Sequence, residues 1–215
     1  MKLFLTSAGI VPEITGDFLK LLGKEPKNTK LVFVPTAADL EEDKWFIGKD
    51  KERLVELGFI IKEIDLKIEN EESLLEKLRD TDIVFVEGGN TFYLLDWVRK
   101  SGFDVAVKEF IGRGGVYVGV SAGSIITGPN IESAGWKYAD KNIIGLKDLV
   151  GMNLVSFAIS PHYCDEVIDV VKEAVTKVSY PTITLTDLQA VIVNGDRAEI
   201  IGPGAKITFN NPKVK

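Results

Sequence analysis

The chain has 215 residues, 45% of them apolar and 27% charged, with a net charge of −6. That length suits one sizeable core, and an acidic balance with no basic stripe argues against nucleic acid as a partner. A single Cys excludes a disulfide framework, a single His argues against a metal site, and no apolar run reaches the roughly 18 residues of a membrane span.

Leu3-Phe4-Leu5-Thr6 reads as a first strand that starts without any signal-peptide pattern, so a cytoplasmic protein is expected. Residues 14–22 show helical spacing and stop near Gly23. Leu31-Val32-Phe33-Val34, a continuous apolar run before Pro35, has the character of a buried parallel strand. Residues 42–57 make a charged amphipathic helix closed by Gly58, and Phe59-Ile60-Ile61 opens a third strand that reaches Leu66. A short helix is expected over 71–78, and Asp82-Ile83-Val84-Phe85-Val86 is the fourth strand. It ends in Glu87-Gly88-Gly89-Asn90-Thr91, with helices following over 92–100 and 104–112. Val116-Tyr117-Val118-Gly119-Val120 is the fifth strand and runs into a helix over 122–127.

Residues 131–153 then form a loop-rich excursion. Val155-Ser156-Phe157-Ala158-Ile159 is strand-like and delivers Ser160-Pro161-His162-Tyr163, with a helix over 165–178. The end is β-rich: strands over 182–185, 190–193 and 198–201, a hairpin turn at Asn194-Gly195-Asp196, and a short strand over 207–209. Strict alternation of strands and helices predicts an α/β fold with a parallel sheet covered on both faces. Sites in such sheets lie beyond the carboxyl ends of the strands.

Two of those ends carry chemistry. In Gly119-Val120-Ser121-Ala122-Gly123 a serine sits on a sharp strand-to-helix corner, which exposes its hydroxyl and turns the next amide, that of Ala122, toward a developing oxyanion. The alternative is a tight turn with a capping Ser. The Gly88-Gly89 loop can bring backbone N–H groups against a ligand and could supply a second oxyanion donor, unless its glycines serve the turn alone. His162 is the sole imidazole and lies at a strand end, so it is the candidate base. A lone His is more often structural, but a serine elbow and a sole His require each other. The carboxylates between them, Glu132, Asp140 and Asp148, are equal candidates for the third member on pattern alone. Cys164 is a weaker nucleophile candidate, near a helix start and without an elbow.

Gly88-Gly89-Asn90-Thr91-Phe92, Gly119-Val120-Ser121-Ala122-Gly123 and Pro161-His162-Tyr163, in that order, resemble the S51 serine peptidases, the group of aspartyl dipeptidase (peptidase E) and cyanophycinase. The opening Leu3-Phe4-Leu5-Thr6-Ser7 is similar as well, and the likeness runs to about residue 205. It implies a single domain over 1–215 with a class I glutamine amidotransferase-like (flavodoxin-like) three-layer sandwich, a mainly parallel central sheet and a C-terminal β-hairpin. It carries the nucleophile to Ser121, the base to His162 and the acid to Asp140, with Glu132 as the fallback. Oxyanion donors are implied at Gly88, Gly89 and Ala122, and substrate contacts at Asn90 and Glu132. Peptidase E carries a basic residue where Glu132 stands, so either Lys137 or Lys141 takes that role or the substrate differs. No cofactor is expected.

The expected activity is hydrolysis of dipeptides or short peptides, with an N-terminal Asp as one option, through an acyl-enzyme. The expected partners are a small peptide and, at most, a second copy of the chain. The alternatives are a non-catalytic ligand-binding member of the amidotransferase-like superfamily and a small esterase. The short interval between Ser121 and His162 disfavours the esterase, because α/β-hydrolases insert further strands there.

Overall fold

The computed structural model describes residues 1–137 and 140–213. Five parallel strands form the body of the main sheet: β1 (Lys2–Thr6), β2 (Lys30–Val34), β3 (Ile60–Glu63), β4 (Ile83–Val86) and β5 (Val116–Val120). A C-terminal hairpin, β8 (Ala190–Asn194) and β9 (Arg197–Ile201), extends it antiparallel along β1. The order is β3-β2-β4-β5-β1-β8-β9.

Side-chain alternation along each strand divides the core into two layers. On one face Phe4, Phe33, Phe85 and Val118 pack with Ile14 and Phe18 of α1 (Pro12–Leu22) and Leu54 of α2 (Trp45–Glu56). On the other, Leu5, Val34, Val84 and Tyr117 meet three helices, α3 (Glu71–Leu78), α4 (Thr91–Ser101) and α5 (Phe103–Gly112). Both faces are thus buried, which is why the central strands read as unbroken apolar runs. The result is the three-layer α/β sandwich that the sequence led us to expect.

The chain after β5 differs more from expectation. A single helical turn, α6 (Ala122–Ile125), is followed by the irregular excursion. Residues 154–157 bend instead of extending, because Leu154 and Val155 both donate to the Thr127 carbonyl. The strand therefore shortens to β6 (Ala158–Ser160). The helix that follows is also shorter, with a 3₁₀ turn at Asp165–Val167 before α7 (Ile168–Val175).

Neither β6 nor β7 (Thr182–Thr184) joins the main sheet. They pair in parallel, and β10 (Thr208–Phe209) adds antiparallel to β7. This small second sheet is backed by Val167, Val171 and Val175, packed with Trp136, Tyr163 and Phe209. No described helix is long and apolar enough to cross a membrane.

Candidate active site

β4 and β5 are neighbours in register, Val86 opposite Gly119, so the loops leaving them lie side by side. Ser121 follows β5 at φ 47°, ψ −106°, a conformation that non-glycine residues rarely hold. The surroundings enforce it. Ser121 N–H donates to Thr6 O at 3.0 Å, and the buried Ser124 hydroxyl lies 2.8 Å from Thr6 O and 2.7 Å from Gly119 O. A Cβ on Gly123 would stand 2.2 Å from the Val86 carbonyl oxygen, so only glycine lets the turn settle against β4.

The small sheet brings His162 to this corner. Ser7, at the end of β1, links the two sheets: its hydroxyl donates to Leu185 O at 2.9 Å and accepts His162 N–H at 3.1 Å. His162 Nε2 then lies 2.9 Å from Ser121 Oγ. On the other side of the ring, Nδ1 lies 2.7 Å from Asp187 Oδ1. An ionised carboxylate can only accept, so Nδ1 carries the proton and Nε2 is left to accept from the Ser121 hydroxyl. The hydrogen bond from His162 holds the Asp187 carboxyl below its ordinary range.

Asp187 was not among the sequence candidates. It lies 25 residues beyond His162, on the loop after β7. The parallel pairing of Ser160 with Thr184, extended by Tyr163 N–H to Leu185 O at 2.8 Å, brings the two loops together. Asp140, the expected partner, faces elsewhere: its Oδ2 accepts Thr91 N–H at 2.7 Å at the start of α4. Burial raises its carboxyl, partly offset by that bond. Glu132 accepts the Tyr180 hydroxyl at 2.7 Å and is likewise away from Nδ1.

The Gly88-Gly89 loop also splits. Gly88 N–H donates to Glu87 Oε1 at 2.9 Å, which removes it from the expected pair of donors. Gly89 sits at φ 133° against Ala37, where a Cβ would come within 2.3 Å of a carbonyl oxygen. No described group accepts a hydrogen bond from Gly89 N–H or from Ala122 N–H, so both stay available beside Ser121. Asn90 caps α4, its Oδ1 accepting Tyr93 N–H at 3.0 Å, and its Nδ2 donates to Lys141 O at 2.9 Å.

Two cavities flank the Ser121–His162 pair. A narrow one, about 40 Å³, is lined by Thr91, Ser133, Lys137 and Asp140. Burial pulls the Lys137 ammonium down to about 8, and it donates to Ser160 Oγ at 2.8 Å and to Pro161 O. A wider one, about 410 Å³, lies toward α2. Cys164 packs against the α7 cluster.

Residues 3–201 match the model of Peptidase family S51. The chain belongs to peptidase family S51. This S51 chain is 37% identical to the uncharacterized peptidase Lmo0363 of Listeria monocytogenes over 164 residues, which span 75% of it and 78% of the relative. It is 31% identical to the uncharacterized peptidase PM1590 of Pasteurella multocida across 94% of its own length and 97% of that protein. A protein named Peptidase E from Shewanella denitrificans shares 31% identity, with 68% of this chain and 58% of the relative covered. Among solved structures, one from Listeria monocytogenes EGD-e, provisionally called a Peptidase E protein, superposes with a TM-score of 0.82 at 28% identity. That match covers 94% of this chain and 98% of the other. Membership makes the chain a peptidase by family and its sheet flavodoxin-like.

Proposed function

We propose that this S51 member is a serine peptidase of dipeptides or short peptides, with Ser121, His162 and Asp187 as its catalytic triad. The observation that carries the proposal is the unbroken chain of two hydrogen bonds from the strained Ser121 through both nitrogens of His162 to Asp187.

Ser121 Oγ attacks the scissile carbonyl carbon while His162 Nε2 takes its proton. The amides of Gly89 and Ala122 hold the oxyanion. Collapse of the tetrahedral intermediate breaks the C–N bond, and the imidazolium returns its proton to the departing amine. Water then adds to the acyl ester with His162 again as base, releasing the acid and restoring the serine. Asp187 stays ionised and stabilises the imidazolium.

For specificity, the Lys137 ammonium in the narrow cavity is the cation that could meet a substrate carboxylate, so N-terminal Asp remains the first substrate to try. Glu132 lines neither of the two cavities and accepts the Tyr180 hydroxyl.

The test is a panel of Asp-X, Glu-X, Asn-X and neutral dipeptides, run beside Ser121→Ala. Cleavage of Asp-X that falls by at least about 10⁴-fold in the variant is expected. Full activity in Ser121→Ala would sink the reading. Hydrolysis of simple esters without any peptide would favour the esterase, and no hydrolysis at all a ligand-binding role.

A further inference from the structure

The wider cavity is bordered by five acids, Glu41, Asp50, Glu87, Asp140 and Asp187. Two of them, Glu87 and Asp50, form a buried pair behind its wall, and that pair leads back to the Gly88-Gly89 loop. Glu87 is the first residue after β4 and is only 1% exposed. Its N–H donates to Val34 O at 3.0 Å, and its side chain curls forward so that Oε1 accepts Gly88 N–H at 2.9 Å. Oε2 has no donor among the described residues, yet Glu87 is hydrogen-bonded to the Asp50 carboxyl. Two carboxyls bond only through a proton, so Oε2 carries one and donates it to Asp50. The burial of the pair agrees, raising Glu87 well above the usual carboxylate range and Asp50 to about 6. Neither group belongs to a salt bridge among the described residues. The lysines beside them are engaged elsewhere: Lys51 pairs with Glu63, and Lys49 Nζ sits 5.5 Å above the Trp45 ring.

The neighbours hold this arrangement in place. Asp50, on α2, lies against Gly9 beyond the end of β1, where a Cβ would collide with both carboxyl oxygens. On the other side of the loop Gly89 is wedged against Ala37, and Asn90 N–H donates to Ala37 O at 2.8 Å. The peptide joining Gly88 to Gly89 is therefore clamped at both ends, by the Glu87 carboxyl and by Ala37. A Cβ on Gly88 would stand 3.2 Å from the Ser121 Cβ, so the clamped peptide lies directly against the nucleophile. The neutral form of Glu87 suits this place. Ionised, it would be repelled by Asp50, and its charge would oppose an oxyanion held by the amide two residues on.

We propose that Glu87 is a positioning residue for the oxyanion hole: its protonated carboxyl, held by Asp50, fixes Gly88 N–H and so aims Gly89 N–H at the oxyanion formed beside Ser121. The inference rests on the peptidase reading, because it takes Ser121 as the nucleophile. Glu87 acts through the loop and not on the substrate.

The test compares Glu87→Ala, which removes the clamp, with Glu87→Gln, whose amide still accepts from Gly88 N–H and donates to Asp50. On one good dipeptide we expect Glu87→Ala to lower kcat at least about tenfold while KM moves by less than about threefold, with most of the loss recovered in Glu87→Gln. A second readout is calorimetric binding of phenylboronic acid, whose boron takes Ser121 Oγ and places an oxygen in the oxyanion hole. Glu87→Ala should bind it at least about tenfold more weakly than the wild type, and Glu87→Gln should regain most of that affinity. Circular dichroism confirms folding. If Glu87→Ala does not fold, Asp50→Ala, which removes the acceptor of the proton, should show the same two losses. Wild-type kcat and boronate affinity in the folded alanine variant, equal losses in Glu87→Ala and Glu87→Gln, or a loss confined to KM would overturn the role. If the boronate follows the expected pattern but no peptide is cleaved, the peptidase reading fails and the positioning role stands. If all variants cleave peptides equally, the reading stands and the positioning role fails. A wild type that neither cleaves peptides nor binds the boronate overturns both.

Discussion

His162 has two ring nitrogens, and each makes one bond. Because Asp187 takes Nδ1, it sets the tautomer that leaves Nε2 free to accept from Ser121. We therefore expect Asp187→Asn to lower kcat by on the order of 10³–10⁴-fold, through loss of that tautomer and of the imidazolium's counter-charge. Asp140→Asn leaves the His162 partner in place and should cost at least about ten times less in kcat than Asp187→Asn. Steady-state kinetics on one good dipeptide, with circular dichroism to confirm folding, decides between them. A second expectation concerns Lys137, whose ammonium is held by burial at about 8. Its pKa is depressed, so the charge is present below that value and lost above it. If Lys137 meets a substrate carboxylate, kcat/KM for Asp-X should fall as pH rises through about 8, and the corresponding neutral dipeptide should not show that limb. The residue scale was the most legible in the sequence for Ser121 and His162, because a serine elbow and a sole imidazole announce themselves locally. It was the least legible for Asp187, which has no local pattern and is an ordinary loop acid until β7 pairs with β6.

At the scale of elements, the caps show how loops around the site are tied. Asn90 starts α4 and at the same time holds the excursion through Lys141 O. Replacing it by Ala should cost about 1–2 kcal/mol of stability, readable as a lower urea midpoint. It should also speed amide exchange around residues 140–142, where Asp140 lines both cavities. The elements of the main sheet could be read in order because the buried strands are largely apolar runs, followed by Ser7, Pro35, Glu87-Gly88 and Ser121. One misread element was β6. Val155, Ser156 and Phe157 have strand-like composition, yet Leu154 and Val155 are claimed by the Thr127 carbonyl, a contact from the other side of the excursion. Propensity could not foresee that competition.

Across the whole molecule, stability carries the mark of the acidic cavity. The folded pKa of Asp50 is raised to about 6 from an ordinary 3.8, so the native state holds its proton more tightly than the unfolded chain does. Stability from this group is thus highest below about 3.8, falls as pH rises between the two values, and is fully penalised above about 6. Asp50→Asn should therefore stabilise the protein at pH 7 by about 1–3 kcal/mol and make no difference at pH 3.5. Thermal melts at both pH values test this; equal shifts at the two would contradict it. By itself the sequence determined the layered α/β fold, the strand ends that matter, and the positions of the serine and the histidine. Those features are local: apolar periodicity, turn residues, and glycines demanded by close backbone approach. Only the tertiary structure decided which carboxylate meets His162, which loop amide remains free beside Ser121, and that acids from α2 and four loops share one cavity. Each of these depends on contacts between residues distant in the chain, set by sheet register and by the packing of two separate sheets through Ser7.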